Sequence, residues 1–124
     1  MKLLPGQTDE GVLASFGKET SAMLMHDYVS LARQFGYALA YGREPAAAIE
    51  EDYQQAAATP FEATPDTFST VKVKYFTPNS TGLFAVVECV VHVAEKSAVL
   101  LELIVTGHEE EKNITIEDIS SVAT

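Results

Sequence analysis

Apolar residues recur at steps of three and four in the front half of this chain and at steps of two in the back half. Leu24, Tyr28, Leu31, Phe35 and Leu39 fall on one stripe, widened by Met23, Ala32 and Ala38. That spacing predicts a helix over about residues 20–41, with Gly42 as its C-cap. Ahead of it, Thr8 followed by Asp9 and Glu10 predicts the start of a short helix carrying Val12, Leu13 and Phe16, interrupted or bent at Gly17. Pro45 suits the first turn of another helix, with Glu50, Glu51 and Asp52 in its early half and Ile49, Tyr53, Ala56 and Ala57 as its buried face. Pro60 and Pro65 close that helix and open the linker-like loop TPFEATPDT.

From Phe68 onward the period is that of strands. Residues 68–77, 83–93, 99–106 and 114–122 read as four strands, joined by PNSTG, AEKS and GHEEEKN. Connections this short predict an antiparallel meander. The chain is therefore expected to be one α+β domain over residues 1–124, helical over about 8–59 and sheet over about 67–122, with the helices packed on a curved four-stranded sheet.

Alternation sorts the strand residues into two faces. Leu83, Ala85, Val87, Cys89, Val91 and Val93 share one face with Val99, Leu101, Leu103 and Val105, and with Val71, Val73 and Tyr75. That face is expected to meet the helices. The other face carries Phe84, Val86, Glu88, Val90 and His92, then Leu100, Glu102 and Ile104, then Lys72, Lys74 and Phe76. A five-residue PNSTG loop puts Lys72 opposite Glu88. A three-residue connection around Ala94–Lys96 puts Glu88 opposite Glu102, and a five-residue one would move Glu102 opposite Val90. Glu88 and His92 lie roughly 13 Å apart along one strand, too far for a general base and its partner. The outer face still keeps many apolar side chains. Such a patch marks an interaction surface, and two sheets stacking there would form a homodimer.

Charge narrows the functional classes. The formal net charge of −10 argues against nucleic acid and anionic membranes, because phosphate contacts need clustered Lys and Arg. With 47% hydrophobic and 21% charged residues, the balance is that of a folded globular chain. The segment MKLLPGQTDEG lacks the apolar run of a signal peptide, and Glu88 and Glu102 break the longest apolar stretches, so the expected compartment is the cytoplasm. A single cysteine, Cys89, allows neither an internal disulfide nor a paired-cysteine metal site.

Candidate chemistry is sparse. Tyr28, Tyr37, Tyr53 and Tyr75 are the candidate lining of a ligand cavity, where an aromatic body and a polar hydroxyl both serve. His26 and Asp27 are adjacent on a helix and do not face one another. Cys89 points inward, where a thiol behaves as a small apolar group. His108 with Glu109, Glu110 and Glu111 reads as a solvated hairpin tip, since a linear acidic run does not converge on an ion. No phosphate loop, nucleophile elbow, HExxH motif or dinucleotide fingerprint is present, so no catalytic residue, metal ligand or cofactor is assigned.

The helix MLMHDYVSLARQFGYALAYGREP, the strand pair LFAVVECVVHV and SAVLLELIVTG, and the order of helices followed by a meander resemble the NTF2-like (cystatin-like) α+β superfamily over about residues 21–122. The resemblance implies a curved sheet wrapped round helices as a cone, an apolar pocket for a small ligand, and dimers through the outer sheet face. It also implies an alternative, an enzyme of the SnoaL or ketosteroid-isomerase kind. Catalytic members carry an acid or base inside the cone, and the inward face of the second and third strands here has none. A helix-borne acid, Asp27 or Asp52, would have to serve. A further alternative is an acidic interaction or inhibitor module that meets a basic target.

Overall fold

The chain begins with a two-residue strand, β1 (Lys2–Leu3), and continues through α1 (Glu10–Met23), α2 (Tyr28–Phe35), a 3-10 turn (Ala38–Ala40) and α3 (Pro45–Ala58). The strands β2 (Thr70–Tyr75), β3 (Leu83–Ala94), β4 (Ser97–His108) and β5 (Glu111–Ser121) follow. This is a computed structural model, which describes residues 1–4, 6–24, 26–58, 70–94, 97–109 and 111–122. The architecture is α+β, with a five-stranded antiparallel sheet in the order β1-β5-β4-β3-β2 that does not close on itself. The end of the third helix at Pro60, the loop with Pro65 and a strand start at Phe68 lie outside the described residues.

Among the described residues the sheet has five strands where periodicity predicted four. The extra one is β1, and two residues are too few to show a period. Lys2 pairs with Asn113 and Leu3 with Lys112. The Met1 amino group donates to the Ile114 carbonyl at 2.7 Å, and the Ile114 amide donates to the Met1 carbonyl at 2.8 Å.

The helical half departs further from its periodicity. Asp9, not Thr8, caps α1, with Oδ1 accepting from the Val12 amide at 2.9 Å. Gly17 neither ends nor divides the helix. A Cβ there would meet Val71 Cγ1 at 2.7 Å, Val87 Cγ1 at 2.9 Å and the Cys89 sulfur at 3.0 Å. The glycine is the point of closest approach between helix and sheet. The helix expected over 20–41 is instead broken. Asp27 caps α2, accepting from the Ser30 amide at 3.1 Å, and the chain leaves α2 through Gly36 at φ +70°. Tyr37 is then extended and makes a single parallel bridge to Ile116. Leu24, Leu31 and Phe35 are all buried regardless. Their spacing reported a shared core face, and a core face can be continued by two helices as well as by one.

The core lies between the helices and one face of the sheet. Ala85, Val87 and Cys89 of β3, Val99, Leu101, Leu103 and Val105 of β4, and Ile114 and Ile116 of β5 are all at 0% exposure. From the helices, Leu13, Leu24, Leu31, Phe35, Ala48, Ile49 and Tyr53 close over them. The expected inward face is thus the buried one. The exceptions are Leu83 and Tyr75, expected inward but 40% and 46% exposed, and Phe84, expected outward. A register irregularity between Leu83 and Ala85 puts Leu83 opposite Thr106 and frees Phe84 from strict alternation. Phe84 packs against the core with its ring edge-on to Tyr75, centroids 5.5 Å apart, and not on the outer face.

Candidate functional site

The outer face of the sheet is built of rows that run across the strands. Thr70, Val90, Leu100 and Ser120 are successive partners in one row. Lys72, Glu88, Glu102 and Asp118 form the next. Lys74, Val86, Ile104 and Thr115 form the third. A charged row therefore runs between two rows whose centres are apolar. Both pairings expected for Glu88, with Lys72 and with Glu102, are present, but the pairing of β3 with β4 continues to Ala94–Ser97 past a register irregularity between His92 and Ala94, in place of the expected three-residue connection. Val90, Leu100 and Ile104 remain half-buried, while Val86 is at 9% exposure. Leu83, at 40% exposure, extends the apolar surface in place of Phe84.

Asp118 was not legible in the sequence. Strict alternation from Ile114 and Ile116 assigns position 118 to the core. An irregularity between Glu102 and Leu103 leaves Glu117 as an extra residue and turns Asp118 outward, opposite Glu102. Three carboxylates thus stand side by side. Lys74 joins Glu88 at 3.1 Å. Burial holds the Glu102 carboxyl above the usual carboxylate range, and the neighbouring Asp118, Glu88 and Glu117 add to that, with Lys74 opposing.

The four tyrosines expected to line one pocket are divided among three places. Tyr28 and Tyr53 meet, ring centroids 6.2 Å apart, where α2 crosses α3. Burial raises the pKa of both hydroxyls. Tyr37 is buried and donates to Asp52 Oδ2 at 2.5 Å, and burial followed by that bond pushes its pKa up. Tyr75 is 46% exposed and donates to the Thr8 carbonyl at 2.8 Å. Beside Tyr28 lies an open cleft of about 370 Å³, also lined by His26, Asp27, Glu44 and Glu50.

A polar cluster joins Asp52, midway along α3, to Arg43, just before its N-terminus, a residue that sequence periodicity did not single out. The Arg43 guanidinium donates to Asp52 Oδ1 at 3.0 Å and Oδ2 at 3.1 Å, and also to the carbonyls of Ala40 and Leu39. It fastens the 3-10 turn to α3 as a fork on a carboxylate. The Asp52 carboxyl is held below its usual range by the Arg43 hydrogen bonds. Asp27 is also lowered, by its bonds to Ser30. A helix-borne general base needs a raised pKa in an enclosed site. Neither candidate acid meets that condition.

Cys89 is buried, and its thiol is pushed up to about 11 by burial, which suits a packing role. Among the described residues no group of three or more His, Cys, Asp or Glu side chains is arranged to hold a metal ion, the carboxylate row included. No helix among them is long and apolar enough to cross a membrane. No protein-family model, curated protein or solved structure matches this chain.

Proposed function

We propose that this chain is a small NTF2-like protein of the cytoplasm that acts as a homodimer, with the outer sheet face as the joint and the curved sheet holding the helices on its other side. The observation that carries the reading is the pair of apolar rows, Val90–Leu100 and Val86–Ile104, on the face opposite the one covered by the helices. Apolar surface of this extent is costly to leave in water. Four strands at the usual spacing, over the five rows from His92–Ala98 to Leu83–Thr106, offer about 500 Å² per copy. Two copies would bury about 1,000 Å², the lower bound for a specific interface. Sedimentation equilibrium of the wild-type chain should report a dimer, and Val90→Asp should make it a monomer by placing a charge in the joint. A wild-type monomer at high micromolar concentration would remove the reading.

Ligand binding is the second reading, favoured by the cleft beside Tyr28. Its Tyr28 ring and its carboxylates from Asp27, Glu44 and Glu50 suit a small molecule with an apolar part and a cationic group, more than a purely apolar one. Native mass spectrometry of the purified chain tests it, since retained small-molecule mass would support this reading and its loss in Tyr28→Ala would locate it.

A further inference from the structure

The charged row contains more information than the apolar rows about how two copies could meet. Two sheets stacked face to face can share a twofold axis that runs along the strands or across them. Along the strands, between β3 and β4, the axis lays each row on the same row of the second copy in reverse order. Val90 then meets Leu100 and Val86 meets Ile104, while Lys72 at one end faces Asp118 at the other. Across the strands, the axis lays the charged row on itself without reversal. Lys72 would face Lys72, Glu102 would face Glu102 and Asp118 would face Asp118. Apolar surface meets apolar surface in both arrangements, so charge decides between them. Like charges in every column disfavour the second, and opposite charges at both ends favour the first.

The favoured arrangement leaves one conflict. Glu88 of each copy faces Glu102 of the other, at the centre of the joint. Glu88 already has Lys74 at 3.1 Å. Glu102 is faced by Glu88 from β3 and by Asp118 and Glu117 from β5, with Lys74 of β2 as the opposing cation. Four carboxylates enclosed between two sheets cannot all stay ionised cheaply, and the group with least compensation takes up a proton.

Resting on the dimer reading above, we infer that two copies stack about an axis parallel to the strands, and that protonation of Glu102 drives their association. Each dimer would take up as many as two protons, one per Glu88–Glu102 contact. The Glu102 carboxyl is already raised in the single chain, first by burial, and stacking raises it further. The sign follows from linkage. A group whose pKa is higher in the associated state strengthens association below its ordinary carboxylate range, and that gain is lost as pH rises through the raised value. The dimer is therefore an acid-favoured state that loosens towards neutral and alkaline pH.

Sedimentation equilibrium between pH 5 and pH 8 tests the proton, and cross-linking tests the axis. The wild-type Kd should tighten by at least about tenfold from pH 8 to pH 5. Glu102→Gln should dimerise at pH 8 about as tightly as the wild type does at pH 5, with a flat pH profile. Lys72→Cys mixed with Asp118→Cys should be joined by a bismaleimide of about 10 Å, the usual distance between stacked sheets. Lys72→Cys alone should not. Cys89 is buried and does not compete. A dimer broken by Val90→Asp but indifferent to pH would overturn the proton step and leave the dimer standing. Efficient self-cross-linking of Lys72→Cys would overturn the axis. A chain monomeric at every pH would overturn the dimer reading itself, and both inferences with it.

Discussion

Leu100 and Leu101 are consecutive residues in one strand, yet they occupy different chemical surroundings. Leu101 is at 0% exposure among Cys89, Ile119 and the helices. Leu100 stands half-buried between Val90 and Ser120, one row from three carboxylates. The inner face has discarded charge altogether on β3 and β4, and its close packing is its only specificity. The outer face keeps apolar rows but interleaves them with a charged one. A surface that served solubility alone would have no reason to retain Val86, Val90, Leu100 and Ile104. A surface built as a second core would have no place for Glu88, Glu102 and Asp118. The two faces teach that one alternating pattern can encode a packed interior on one side and interleaved apolar and charged rows on the other.

The sharpest way to break this contrast is to truncate the two leucines separately. Leu101→Ala should lower the free energy of unfolding by about 2–5 kcal/mol, the usual range for a large-to-small change in a filled core. Leu100→Ala should cost the single chain about 1 kcal/mol or less. Urea denaturation of both at low concentration reads the difference, and equal losses would mean the faces are not distinct. Gly17→Ala probes the inner face from the helix side. Its methyl would come within 3.0 Å of three side-chain atoms, those of Val71, Val87 and Cys89. Overpacking should cost about 1–3 kcal/mol despite alanine's better helix propensity. A stabilised Gly17→Ala chain would show that the helix does not need to lie so near the sheet.

The smallest effects lie in the carboxylates, and their signs are opposite. Asp52 has a lowered pKa because Arg43 holds its ionised form. It contributes stability above the ordinary carboxylate range, and that contribution is lost as pH falls through the lowered value. Asp52→Asn should therefore reduce Tm at pH 7 and make little difference in strong acid. Glu102 has a raised pKa, so its ionised form burdens the fold as pH rises. Glu102→Gln should increase Tm near pH 8 by less than about 4 °C and converge on the wild type as the medium becomes acidic. Thermal melts of the two variants with parallel pH profiles would contradict the assignment.

Much of the sheet was legible because alternation is a rigid geometric rule. The buried set on β3 and β4 follows from parity and the Lys72–Glu88 pair from loop length, while the Glu88–Glu102 pair is one of the two registers that loop length left open. What alternation could not convey was where it fails. The irregularities at Phe84 and Glu117 each shift one residue, and each altered the membership of a face. One took Phe84 inward and the other brought Asp118 out. In the helices, the stripe Leu24–Leu31–Phe35 was correct about burial and silent about continuity, because the Asp27 cap is a local hydrogen bond invisible to periodicity. Arg43 was missed for a related reason. It lies just beyond a turn, and its partner is nine positions along the chain on a different element.

The pairing of β1 with β5 bears on how the molecule assembles in time. Met1 and Ile114 exchange backbone hydrogen bonds across 113 positions of sequence. Contacts of such separation are slow to form, since a long loop must be ordered before it is rewarded. The edge of the sheet beside β5 is thus left open until residues 1–3 return to it. Until then β5 presents a bare edge, the state in which a strand most readily recruits a foreign one. Among the described residues, Lys2 and Leu3 form the strand that covers it, with Met1 bonded to Ile114 beside them.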